Sequence, residues 1–213
     1  MTRNYNFFDK LCFGVDQAVR ALTDTVKTTD APFPEKDIEN KQLSEEQAKH
    51  SARLMRINHA GEICAQALYQ GQSFVAKDHK IQAKMDEAAL EEGNHLKWCK
   101  QRLDELHSHT SYLNPFWYCG SFCLGLLAGM IGDKWSMGFL AETERQVVKH
   151  LEGHLALLKI EDPRSYHVLQ QMQEDEARHR DEALALGGKE LPHVVKQAMS
   201  LTSKIMVKIS YWV

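Results

Sequence analysis

Four glutamates and two histidines sit where an ordinary helical core would place hydrocarbon, and they recur in two matching sets. Glu62 is followed 30 positions later by Glu92-Gly-Asn-His95, and Glu144 is followed 32 positions later by Glu176-Ala-Arg-His179. A glutamate and a histidine three positions on share one face of a helix. A lone glutamate plus a Glu-x-x-His motif, given twice, is the ligand set of a carboxylate-bridged di-iron or di-manganese centre inside a four-helix bundle. Spacings of about 30 residues suit an antiparallel helix pair closed by a short loop.

Helical register separates these glutamates from the many others. Met137, Leu140, Ala141, Val147, Val148, Leu151 and Leu155 line the same stripe as Glu144, whereas Glu142 points away. Leu169, Met172, His179 and Ala183 accompany Glu176, while Glu174 and Asp175 fall outside the stripe. Met85, Ala88, His95, Leu96, Cys99 and Leu103 surround Glu92, with Glu91 rotated by about 100°. Met55, Ala65 and Tyr69 accompany Glu62. On this reading Glu91→Ala and Glu174→Ala are close to silent. Carboxylates buried in an apolar seam cost several kcal/mol unless paired or bound to a cation. Two divalent ions balance four carboxylates, and mixed oxygen and imidazole donors suit iron or manganese. His59, His150 and His154 are expected near the ligands or at the surface rather than on metal.

The rest of the chain reads as all-α. Amphipathic segments cover about 5–27, 45–76, 79–107, 134–160, 163–186 and 191–210, with Ser44 and Gln47 as a capping box and Asp162-Pro163 opening the fourth bundle helix. Gly187-Gly188 closes it. Two helix pairs separated by a long connection, 108–133, give a ferritin-like four-helix bundle with additional N- and C-terminal amphipathic helices. Residues 1–43 form an N-terminal helix and linker, and 44–213 the bundle domain. Five cysteines without a Cys-x-x-Cys pair argue against a disulfide scaffold or zinc ribbon and fit a reducing cytosol. A net charge of −3 gives no general attraction for nucleic acid. No secretory signal and no Gly-rich dinucleotide fingerprint is found.

Asn58-His59-Ala60-Gly61-Glu62, followed by Tyr69 and joined to both Glu-x-x-His motifs, resembles the di-iron demethoxyubiquinone hydroxylases of ubiquinone biosynthesis over residues 50–213. The resemblance implies two iron ions held by Glu62, Glu92, His95, Glu144, Glu176 and His179, with Glu92 or Glu144 carboxylates bridging. It places His150 near substrate and metals and makes Tyr69 a second candidate catalytic residue. Leu151 stands where some members carry tyrosine, and the N-terminal 45 residues receive no role from the resemblance. The implied reaction inserts one oxygen atom of O₂ into the ring of a polyprenyl quinone or quinol. It draws on an external reductant, with other ubiquinone-biosynthesis proteins as further partners. The alternatives are a ferritin-like iron-oxidising or storage protein and a di-iron hydroxylase of modified tRNA; the uncharged connection and the overall acidity disfavour them.

Such a substrate resides in a bilayer. Residues 116–132 carry no charge but fall short of the roughly 20 residues that a spanning helix needs. Phe116-Trp117-Tyr118 suit the membrane interface. In the last helix Val195, Met199, Ile205, Met206 and Ile209 share a face, Lys196, Lys204 and Lys208 lie elsewhere, and Tyr211-Trp212 end it. The expectation is a monotopic protein on the cytoplasmic side of the cell membrane, in contact with lipid. Gly125-x-x-x-Gly129 in the uncharged run equally allows close helix contact.

Overall fold

The computed structural model describes residues 7–34 and 42–213, and all regular structure among them is α-helical. The elements are α1 (Phe7–Leu22), α2 (Glu45–Val75), α3 (His79–Glu105), α4 (Asn114–Ile131), α5 (Asp133–Glu161), α6 (Pro163–Ala185) and α7 (His193–Ser210). The expected start of the first helix, at residue 5, lies outside the described residues.

Local chemistry sets these ends. Ser44 and Gln47 form the reciprocal capping box of α2, the Asp78 side chain accepts from the Lys80 amide at the start of α3, and Asp162 accepts from the Ser165 amide ahead of α6. Gly187 closes α6 with φ +87°, and the Gly188 amide reaches back to the Ala183 carbonyl at 3.1 Å.

Helices α2, α3, α5 and α6 form the bundle, α2 pairing with α3 and α5 with α6. Each presents one seam glutamate with a core residue seven positions to either side. These are Met55 and Tyr69 about Glu62, Met85 and Cys99 about Glu92, Met137 and Leu151 about Glu144, and Leu169 and Ala183 about Glu176. Two turns of helix return almost to the same face. Polar residues thus make a single layer between two apolar cores, one around Trp98, Leu103 and Leu158, the other around Ile81, Met137 and Leu140.

The long connection expected between the pairs is itself largely helical. It carries α4, opened by Pro115 in its first turn and laid against α2. A Cβ on Gly71 would overlap the Phe122 carbonyl, one on Gly125 the Leu68 carbonyl, and one on Gly129 the Val75 side chain. The glycines therefore let two backbones touch, as the Gly-x-x-x-Gly spacing allowed. The opposite face of α4 leaves Phe116, Leu127, Met130 and Ile131 exposed. No helix among the described residues is long and apolar enough to cross a membrane. Helix α7 runs along the bundle, held by a hydrogen bond from Gln146 Nε2 to the Lys196 carbonyl and by Arg53 stacked on Tyr211 and Trp212.

Candidate metal centre

Glu62, Glu92, His95 and Glu176 converge at the middle of the bundle. One ligand atom from each lies within 4.8 Å of all the others, and all four residues are buried. His95 Nδ1 is 3.1 Å from Glu92 Oε2, 3.2 Å from Glu176 Oε1 and 3.5 Å from Glu62 Oε2. His179 joins from the other side, with Nδ1 3.1 Å from Glu92 Oε1 and 3.3 Å from Glu176 Oε2. Glu92 and Glu176 therefore each offer one oxygen to either histidine and span the site between them. The resemblance had suggested Glu92 or Glu144 in that place; here Glu144 stands to one side, accepting a 2.8 Å hydrogen bond from the Tyr69 hydroxyl.

The outer nitrogens of the histidines fix their inner ones. His95 Nε2 is 3.1 Å from Asp175 Oδ2, and His179 Nε2 is 2.6 Å from Glu91 Oε2. A proton on each Nε2, donated to its carboxylate, leaves each Nδ1 as the nitrogen that faces the glutamates and that would bind a metal. This is the carboxylate–histidine arrangement that orients an imidazole toward a metal. The partners cross over: Glu91 on α3 serves His179 on α6, and Asp175 on α6 serves His95 on α3. Arg178 Nη2 sits between them, 3.0 Å from Glu91 and 3.2 Å from Asp175. Helical register had set Glu91 and Asp175 outside the stripe, and the structure places them against the outer nitrogens of the two histidines. A visible signal was that an acidic residue directly precedes both Glu-x-x-His motifs.

Charge in this layer is heavily unbalanced. Burial first, and then the neighbouring Glu92 charge, pushes the Glu62 carboxyl well above the usual range; burial with Glu176 and Glu92 does the same to Glu144. Burial alone would lower His179, but the carboxylates of Glu176 and Glu92 close to its ring hold its imidazolium up to about 12. So dense a set of carboxylates has to be neutralised, by protons or by metal ions. Glu62 Oε2 and Glu92 Oε1 are fully buried and accept no well-formed hydrogen bond, as oxygens reserved for a cation would be. Hard oxygen donors and imidazoles fit iron or manganese.

The remaining expected residues take other places. An apolar crevice between α3, α5 and α6, lined by Met85, Met137, Leu140 and Leu186, reaches Tyr69 and His179. His150 lies across the carboxylate layer from it, beside Leu151 of the other core. It stacks edge-on against His154 with ring centroids 4.1 Å apart, and its buried Nε2 has no hydrogen-bond partner among the described residues. His154 accepts from Asn58 Nδ2 at 3.2 Å, and His59 pairs with Asp24 at 2.9 Å. Glu142 points away from the site as expected, yet it is buried and paired with Arg145.

Known proteins bear on the same residues. The family model of ubiquinone biosynthesis protein COQ7 matches residues 49–210. A 3-demethoxyubiquinol 3-hydroxylase of Nitrosococcus oceani is 50% identical over 211 residues, covering 99% of both chains. The enzyme of that name from Nitrosomonas europaea is 51% identical over 205 residues, 96% of this chain and 98% of its own. One from Acinetobacter baumannii is 50% identical over 210 residues, 99% of each. A match through the whole bundle and half-identity to relatives over nearly their full lengths place this chain in the COQ7 family of ubiquinone biosynthesis proteins.

Proposed function

We propose that this protein is an O₂-dependent monooxygenase of ubiquinone biosynthesis that hydroxylates the ring of a demethoxy polyprenyl quinol, using two iron ions held by Glu62, Glu92, His95, Glu144, Glu176 and His179. The reaction follows the name its relatives carry. The observation that supports the metal pair is the set of two imidazole Nδ1 atoms facing two glutamates, each of which reaches both. When bound, the iron pair supplies the redox chemistry that activates O₂ with electrons from an external reductant. Storage of iron and hydroxylation of tRNA are not favoured, because the half-identical relatives are named for a quinol.

The chain's own residues set the conditions for that chemistry. Glu91 and Asp175 orient the histidines. Tyr69 holds Glu144 by its hydroxyl and forms the inner wall of the crevice. The two apolar cores flanking the carboxylate layer keep bulk water from it. The crevice, whose rim carries Lys84 and Glu182, 3.0 Å apart, is little larger than a water molecule here and would have to widen to admit the quinol ring.

The polyprenyl chain requires a bilayer beside that entrance. Met130, Ile131, Leu186 and Val194 are exposed at or beside the ends of α4, α6 and α7, Leu186 lining the crevice, and they form the proposed lipid-facing surface, peripheral and on the cytoplasmic side. Flotation with anionic liposomes tests this: Met130→Asp with Ile131→Asp should stay with the soluble fraction while wild type floats.

The reaction itself is tested by a mass-spectrometric quinone profile of cells with and without the gene. Accumulation of the demethoxy precursor, cured by wild type and not by Glu176→Ala, is expected. An unchanged quinone pool would refute the substrate.

A further inference from the structure

The N-terminal segment has been given no task so far, yet residues 23–34 run from α1 across the outside of α3 and into the core. They touch α3 at the two residues between Glu92 and His95. Asn94 Oδ1 accepts from the Ala31 amide at 3.2 Å, and Asn94 Nδ2 donates to Thr29 Oγ1 at 2.6 Å. At Gly93 the approach is closer still: a Cβ there would overlap the Lys27 carbonyl and meet Thr28 Cγ2 at 3.3 Å. Glycine is what this crossing requires.

Both ends of the segment are anchored. At one, Asp24, with φ +54°, accepts from His59 Nε2 at 2.9 Å, and His59 is buried on α2 three residues before Glu62. At the other, Phe33 is buried in the core around Trp98 and Leu103, with the Arg164 guanidinium 4.8 Å above its ring. Between them, Thr28 Oγ1 donates to Asp30 Oδ1 and accepts from the Asp30 amide, both at 3.1 Å. The segment is a strap with three fastenings. As a result α3 is buried on all sides from Glu92 to Leu96, by the bundle within and by the strap without.

We infer that the strap, through Gly93, Asn94 and the Asp24–His59 pair, holds the turn of α3 that carries Glu92 and His95 in its metal-binding position. The inference rests on the metal-centre reading above. Ligands must be held within about 0.5 Å of productive geometry, and a segment packed backbone-to-backbone on this turn fixes where the turn sits. Gly93, Asn94 and His59 are positioning residues, not ligands.

Gly93→Ala separates this role from general stability, because alanine favours a helix more than glycine does. A role confined to helix formation would leave that variant with equal or tighter metal binding. Positioning by the strap predicts the opposite sign. The test uses the full-length protein and Co(II) as the probe, with chelator competition for affinity and amide hydrogen exchange at residues 91–97 in the metal-free chain. Gly93→Ala, Asn94→Ala and Asp24→Ala should each weaken Co(II) binding by about tenfold or more. All three should speed exchange at 91–97 while helix content stays unchanged. Asp24→Asn, which keeps an acceptor for His59, should restore most of the affinity. Wild-type affinity in Gly93→Ala and Asn94→Ala overturns the inference, whether or not exchange changes. Failure of the wild-type chain to bind Co(II) overturns the metal-centre reading itself and this inference with it.

Discussion

Removing Glu91 should damage a site that it never enters. Its carboxylate accepts a hydrogen bond from His179 Nε2 at 2.6 Å, and so fixes Nδ1 as the nitrogen that faces Glu92 and Glu176. In Glu91→Ala the Nε2 proton loses its acceptor, the ring is free to rotate, and both tautomers become accessible. A hydrogen bond to a charged acceptor contributes roughly 1.5–3 kcal/mol. Losing such an outer partner weakens metal affinity by about 10–100-fold, and the two figures agree, since tenfold corresponds to about 1.4 kcal/mol. Arg178 keeps Asp175, so the crossed partner on His95 stays in place and the loss is confined to one histidine. Glu91→Gln retains an acceptor oxygen and should lose less. Fe(II) or Co(II) titration against a chelator measures the affinity, and Glu174→Ala, whose carboxylate takes a 3.3 Å contact from Gln170, is the control. If Glu91→Ala binds metal within twofold of Glu174→Ala, the orienting role is wrong and the simple register argument was sufficient.

Three further outcomes are expected. Glu92→Ala and Glu176→Ala, which remove the two spanning carboxylates, should abolish hydroxylation and leave less than one iron per chain by elemental analysis; near-normal turnover in either would sink the di-iron assignment. Arg102 is fully buried, donating to both Asp162 oxygens at 2.9 and 3.0 Å and to Ser165 Oγ at 2.9 Å. Arg102→Met should therefore cost about 3–5 kcal/mol in denaturant unfolding, and a loss below about 1 kcal/mol would show that Asp162 finds another partner. Burial first, and then the His150 and His50 charges, pushes His154 from 6.5 down to about 3. Below pH 6.5 the unfolded chain takes up a proton that the fold refuses, so this contribution is complete above 6.5 and is lost toward 3, at up to about 1.4 kcal/mol per pH unit. His154→Gln should flatten the fall in stability between pH 6.5 and 5, and an unchanged slope would place the titration elsewhere.

The bundle and its polar layer were legible because both obey period: Glu144 with Met137 and Leu151 announces a helix face whatever packs against it. Caps are local too, and Ser44, Asp162 and Gly187 work as their neighbours imply. Glu91 and Asp175 escaped because their partners lie 88 and 80 residues away, across a helix interface that no single-helix projection contains. The strap escaped for a related reason. Gly93 and Asn94 read as filler between ligands until the segment that crosses them is in place. Helix α4 was hidden by composition, since an uncharged run with four glycines looks the same as membrane anchor, loop or packed helix.

Helix α4 also separates two tasks that most helices must combine. Its attachment to α2 combines glycines at which the two backbones meet, Gly71 and Gly125, with inward side chains, Tyr118 on Gln70 and Asn114 on His59. Phe116, Leu127, Met130 and Ile131 on the other face take little part in that fastening. The outer face can consequently be rewritten in polar residues or in bulkier apolar ones while the seam stays untouched. Gly71, Gly125 and Gly129 are the positions that such a rewriting leaves alone.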